Sequence, residues 1–231
     1  MKIKKLISAL VLGSMLVGLS GCNITDFSAE NLLRPPKAVG DEAEIEQLIA
    51  KTADSGYTLK YPKNGKFRSA IIMTDLDGND SNEAVAFFRN SVETSSVHML
   101  VMYSKDNSWE IASDNIFETT DIDSVDFADL TGNGKAEIIV NSTTYTPNVG
   151  KLSCYSYSEG KTNEVGSGQS CSSFVTGDFD NDGTSEIMSL VLYTTENEAL
   201  ASMLDYNEGS KSLYAKAMAN MDPNVVKYKN I

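Results

Sequence analysis

Asp75-Leu76-Asp77-Gly78-Asn79-Asp80-Ser81-Asn82-Glu83 aligns without gaps with two later stretches of the same chain. These are Asp129-Leu130-Thr131-Gly132-Asn133-Gly134-Lys135-Ala136-Glu137 and Asp178-Phe179-Asp180-Asn181-Asp182-Gly183-Thr184-Ser185-Glu186. Their starts lie 54 and 49 residues apart, and an apolar run flanks each on both sides. Positions 1, 3 and 5 carry oxygen side chains: Asp75, Asp77, Asn79; Asp129, Thr131, Asn133; and Asp178, Asp180, Asp182. Position 7 offers a backbone carbonyl from Ser81, Lys135 or Thr184, and position 9 is always glutamate. Glycine at position 4 or 6 supplies the positive φ that a tight loop needs. Calcium takes six to eight hard oxygen ligands in flexible geometry, so Ca2+ is the expected cofactor of these loops. Asp, Asn and Gly are also good turn residues, so metal-free acidic turns are the competing reading. Ligand charge ranks the third loop first and the second last, because Thr131 and Asn133 replace acids there.

An EF-hand begins in the same way but places a bidentate acid at position 12. Here position 12 is Ala86, Val140 or Ser189, and the residues following each loop, such as Ile138-Ile139-Val140, read as strand rather than helix. Each loop is therefore expected to join two strands, and a repeat near 50 residues built of short strands is the spacing of propeller blades.

At this point the pattern resembles the FG-GAP and VCBS-type repeats, known from the integrin α-chain propeller and from many bacterial surface proteins. The match runs from about Ile71 to Tyr214. The resemblance implies four-stranded antiparallel blades, each with its calcium loop between the first two strands. Two departures stand out: the FG and GAP signatures are not visible, and glutamate takes the place of the commoner aspartate at position 9.

The strand-like runs are Tyr57 to Tyr61, Ala70 to Met73, Ala84 to Phe88, Val97 to Tyr103 and Trp109 to Ala112. Ile138 to Val140, Leu152 to Tyr157, Ser173 to Val175, Ile187 to Tyr193 and Leu200 to Tyr206 follow. One helix is expected, over Asp41 to Lys51, with Asp41 as N-cap, Glu44 completing a capping box, and Ile45, Leu48 and Ile49 as its apolar stripe. The predicted fold is all-β: a partial propeller of about three to four antiparallel blades behind that helix. The domain spans 41–231, with repeats near 71–115, 124–165 and 173–215. A closed propeller needs at least four blades. The run Val225 to Tyr228 looks like a first strand whose loop is missing, and Tyr57 to Tyr61 looks like an outer strand for an incomplete blade.

The N-terminus reads as an export signal, over residues 1–21. Lys2, Lys4 and Lys5 form a basic start, Leu6 to Leu19 an apolar stretch too short to span a bilayer, and Leu19-Ser20-Gly21-Cys22 follows. That ending resembles the bacterial lipobox, which implies lipidation of Cys22 and anchoring to the outer face of a cell membrane. Residues 22–40, with Pro35-Pro36 and no periodicity, read as a tether. Cys154 and Cys171 remain, as a disulfide or as two buried thiols.

The formal net charge is −13, and loss of the leader's lysines leaves 16 basic and 32 acidic residues. Such a surface repels phosphate backbones, so nucleic acid is not an expected partner. No catalytic constellation is evident: the single histidine, His98, sits inside an apolar strand run, no nucleophile elbow is present, and the clustered acids belong to the loops. The expectation is thus no enzyme but an extracytoplasmic calcium-binding adhesion module with a protein or glycan ligand. Tyr145, Tyr155, Tyr157, Tyr193 and Tyr206 are ligand candidates and equally ordinary strand aromatics. Self-association, or a partner that completes the ring, is expected from the short repeat count. The alternatives are a scaffold subunit of an envelope complex, or a non-catalytic remnant of a longer secreted protein or hydrolase.

Overall fold

The computed structural model describes residues 40–54, 56–194 and 196–224. The leader, Cys22, the tether up to residue 39 and the run Val225 to Tyr228 lie outside the described residues. Among those described, no helix is long and apolar enough to cross a membrane.

Helix α1 spans Asp41–Ala53. It starts one residue earlier than expected: Gly40 is the N-cap, at φ 65°, and no side chain caps the helix. Asp41 is therefore the first helical residue, where its charge, with Glu42 and Glu44, favours the positive end of the helix dipole.

Among the described residues thirteen strands follow, in three antiparallel sheets. The first sheet holds β1 (Tyr57–Leu59), β2 (Ile71–Thr74), β3 (Glu83–Asn90), β4 (Val97–Lys105) and β5 (Ser108–Phe117). The second runs in order through β6 (Ile122–Ala128), β7 (Glu137–Thr143), β8 (Gly150–Ser158) and β9 (Lys161–Cys171). The third runs through β10 (Ser173–Gly177), β11 (Glu186–Tyr193), β12 (Glu198–Asn207) and β13 (Ser212–Met221). The acidic loops join β2 to β3, β6 to β7 and β10 to β11, which are the first two full strands of each sheet. The outermost pair of every sheet carries a β-bulge, which adds twist at that edge.

β1 lies at the edge of the first sheet opposite β5, on the first-strand side rather than as the outer strand of a blade. It pairs with the far half of β3, Tyr57 opposite Asn90, while β2 pairs with the near half, Thr74 opposite Glu83. β1 and β2 together make one interrupted first strand. The break falls at Tyr61 to Ser69, where Pro62 removes a ladder donor and Gly65 takes φ 83°.

Alternation along the second strand of each sheet explains how the sheets stack. Val85 and Phe87 face the second sheet and pack with Ile138, Val140 and Tyr155. Ala84, Ala86 and Phe88, on the opposite face, pack under Ile45, Ile49 and Ala53 of α1. Ile139 faces the third sheet, meeting Ile187, Leu204 and Leu213. The outer face of the third sheet carries only a small apolar cluster of its own residues, Leu192 and Ala199 with Leu190. Among the described residues no apolar cluster joins the third sheet back to the first, so the order is helix, sheet, sheet, sheet, then an open face.

Cys154 and Cys171 are buried, free thiols in the cluster between the second and third sheets. In the β8–β9 register Cys154 lies opposite Gly166 and Cys171 opposite Gly150. That places them four β8 residues apart, roughly 13 Å along the strands. A disulfide needs its Cα atoms within about 7 Å, so this register does not join them. Burial pushes both thiols up, away from the reactive thiolate.

Candidate functional site

All three loops share one internal hydrogen-bond scheme. The position-1 aspartate accepts the N–H groups of positions 5 and 6: Asn79 and Asp80 on Asp75, Asn133 and Gly134 on Asp129, Asp182 and Gly183 on Asp178, at 2.7–3.2 Å. The position-5 side chain accepts the N–H of position 7, from Ser81, Lys135 and Thr184, at 2.7–2.9 Å. The position-9 glutamate accepts the N–H of position 2, from Leu76, Leu130 and Phe179, at 2.8 Å in each case. Glu83, Glu137 and Glu186 are almost fully buried, at 3%, 1% and 0% exposure, so this clamp is a buried charge-assisted bond.

The backbone of the loops is equally constrained. Positions 4 and 6 both take positive φ in every loop: Gly78 and Asp80, Gly132 and Gly134, Asn181 and Gly183. Asp and Asn are the side chains that best tolerate this region, which is why they can stand in for glycine. The loops also lie side by side. The Ala136 N–H donates to the Leu76 carbonyl at 3.0 Å, and the Ser185 N–H to the Asp129 carbonyl at 2.8 Å. A Cβ on Gly132 would come within 2.6 Å of the Thr184 side chain, so the second and third loops touch.

Two of the loops gather carboxylates. Asp178, Asp180, Asp182 and Glu186 bring one oxygen each to within 4.8 Å of one another, and Asp75, Asp77 and Glu83 do the same. In the third loop Glu186 Oε2 holds the Phe179 N–H while Oε1, wholly buried, has no protein partner. In the first loop Asp77 Oδ1 is likewise buried and unpartnered. Burial raises Glu83 above the usual carboxylate range, the Leu76 N–H opposes the rise, and the charges of Asp77 and Asp75 add to it. Buried anionic oxygens without donors are costly, and a hard cation is the partner that removes the cost.

The second loop differs. It contains only two carboxylates, and both oxygens of Glu137 are satisfied from within. Leu130 N–H and Thr131 N–H donate to Oε2, at 2.8 and 3.2 Å, and the Thr131 hydroxyl donates to Oε1 at 3.2 Å. Thr131 thus closes the loop on itself, whereas Asp77 and Asp180, being acids, have no hydrogen to donate to the position-9 glutamate when ionised. Glu137 is raised by burial, with the donors from Leu130 and Thr131 opposing the shift.

At the opposite ends of the first two strands lies a cavity of about 1070 Å³. Asn64, Asp121, Asp123, Asn141, Thr143 and Phe174 are among the residues lining it. Lys60 and Lys63 both pair with Asp121. Asn141 is fully buried; its amide donates to Asp123 at 3.3 Å and its Oδ1 is unpartnered. A smaller neighbouring cavity, about 460 Å³, is lined in part by Tyr145. Nothing in the sequence pattern pointed to this cleft, because its polar residues come from strand ends and turns far apart in the chain.

The tyrosine candidates separate by burial. Tyr155 and Tyr157 belong to the core, at 9% and 4% exposure, whereas Tyr145 is 98% exposed on the β7–β8 turn. Tyr193 and Tyr206 are half-buried. His98 is buried in β4, stacked on Phe88 and bonded through Nδ1 to Asp114 at 2.9 Å.

No protein-family model matches the chain, and a search of curated proteins finds no relative.

Proposed function

We propose that this protein is a calcium-stabilised binding module of the FG-GAP/VCBS type, an incomplete propeller held to the outside of a membrane by lipid on Cys22. The observation that carries the metal reading is Glu186 Oε1: a fully buried carboxylate oxygen, without a donor, among four acids. The third and first loops take the ion; the second is a structural turn. Calcium fits better than magnesium because it takes six to eight oxygen ligands in flexible geometry, whereas magnesium demands strict octahedral geometry and gives up its waters reluctantly. The ligand surface is the polar cleft at the other end of the strands, with Tyr145 at its margin. Its amide, hydroxyl and carboxylate groups suit a glycan or a polar peptide segment.

Thermal unfolding with calcium, with magnesium and with chelator tests the metal. One site at 100 times its dissociation constant contributes about 2.7 kcal/mol, so calcium should raise Tm by several degrees and magnesium much less. Asp178→Ala with Asp182→Ala should remove most of that gain, and an unchanged Tm in all conditions would make the loops plain turns. The anchor rests on the lipobox, and labelled palmitate should enter the wild-type chain and not Cys22→Ala; equal labelling of both refutes it.

A further inference from the structure

Loop 3 does not stand alone among its acids. Lys216, on the outer edge strand β13, reaches across β12 and places its ammonium on Asp180 Oδ2 and, at 2.9 Å, on Asp205 Oδ2. Asp205 is itself held by the Tyr214 hydroxyl at 3.1 Å and is only 13% exposed. Asp180 occupies position 3 and is one of the four acids, Glu186 among them, that bring one oxygen each to within 4.8 Å of one another. The corresponding residue of the first loop, Asp77, has a buried oxygen with no partner, and that of the second is the hydroxyl of Thr131. So the three loops treat position 3 in three ways: open, closed by its own hydroxyl, and occupied by an internal cation.

We propose that Lys216 is a built-in competitor for the third loop's ion: its ammonium neutralises Asp180 in the metal-free protein and must yield that oxygen when a divalent cation binds. The inference rests on the metal reading of this loop. Four carboxylates attract calcium more strongly than three, and the lysine offsets part of that advantage at the third loop. Metal entry then leaves Lys216 on Asp205 alone, which couples occupancy of the inner loop to the contacts of the outer edge strand. Removing the positive charge should tighten binding by about tenfold, the scale of one unit charge near a partly screened site.

Isothermal calcium titration of the full chain would test this, comparing wild type with Lys216→Met, Lys216→Gln and Lys216→Arg. Asp178→Asn with Asp182→Asn identifies the loop-3 event as the one that disappears. Both neutral variants should strengthen that event about tenfold and leave the other unchanged, while the arginine variant stays within about twofold. Affinity unchanged or weakened in both neutral variants overturns the competitor role, because the lysine would then be organising the loop. If the double asparagine variant loses no event, the metal reading of the loop falls, and this inference with it. Lys216 is on an exposed edge, and circular dichroism of the two neutral variants verifies that the sheet survives.

Discussion

Glu137→Ala should destabilise the protein by about 3 kcal/mol or more, whether or not calcium is present. The carboxylate accepts the Leu130 N–H, the Thr131 N–H and the Thr131 hydroxyl, and Glu137 is 1% exposed. Alanine strands the buried Leu130 N–H, at about 1–3 kcal/mol, and takes the acceptor from the two half-buried Thr131 donors, which water can reach in part, while the emptied space under the turn adds a packing loss. Against a typical domain stability of about 5–15 kcal/mol, that is a large fraction. Glu137→Gln should behave differently. A carboxamide oxygen still accepts the backbone donors, its NH2 can donate to Thr131, and the desolvated charge is gone, so the change should stay within about 1 kcal/mol. The same exchange in the third loop has the opposite profile. Glu186→Gln keeps the Phe179 clamp, so metal-free stability should hold, but it removes charge from the cluster and the calcium-dependent gain should shrink. Denaturant unfolding of the variants with calcium and with chelator decides. A loss under about 1 kcal/mol for Glu137→Ala would mean that the clamp is not a structural element, and equal calcium responses in Glu137→Gln and Glu186→Gln would erase the distinction between loops.

That contrast marks how far the sequence could be read. The loops, their place between first and second strands and their repeat were legible because the chemistry is local: acids, glycines and flanking apolar runs lie within nine consecutive residues. The central strands were legible for a related reason. β3, β4 and β7 are buried on both faces and read as unbroken apolar runs such as Ala84 to Phe88. β9 and β13 were not legible. Lys161–Cys171 and Ser212–Met221 are outer strands and largely exposed: the first is rich in Ser, Gly, Lys, Asn and Gln, and the second alternates mainly Ala and Met with Tyr, Lys and Asn, a weak strand signal because alanine is depleted in strands. β6 was missed because Asp123 and Asp126 interrupt it, and both have partners that only folding supplies: Asn64 and Asn141 for the first, Thr176 for the second. The glutamate clamp was hidden in the same sense. The spacing showed an oxygen at position 9, and two roles fit it equally; only the Leu76, Leu130 and Phe179 N–H groups at 2.8 Å reveal that one oxygen is already committed.

The face of the third sheet that is left open among the described residues should make the chain associate with a second copy of itself, and the association should stop at two. Met188 stands two residues after Glu186, as Val85 and Ile139 stand after Glu83 and Glu137. Those two equivalents are 0% exposed, each against the next sheet, whereas Met188 is 40% exposed and its strand neighbour Val175 58%. Met203 lies opposite Met188 on the other side, and Leu190 opposite Ala201, so an apolar, uncharged patch runs across the sheet. Its natural complement in the stack is the face that precedes a sheet, but on the first sheet that face is buried under Ile45, Ile49 and Ala53 of α1. Head-to-tail growth, which would give open polymers, is thereby blocked, and face-to-face pairing about a twofold axis is what remains. Strand spacing near 4.8 Å and a rise near 3.3 Å per residue give a patch of roughly 19 by 17 Å. That is small against the roughly 800 Å² per partner of a standard interface, so the dimer should be weak, forming in the micromolar range or above. Sedimentation of a soluble chain beginning after Cys22 should show a monomer–dimer equilibrium, and Val175→Glu with Met188→Glu should shift it to monomer by burying unpaired charge at the contact. A wild-type chain that stays monomeric across that range would mean that the patch is tolerated in water. Growth beyond the dimer would mean that the helix does not seal the other end of the stack.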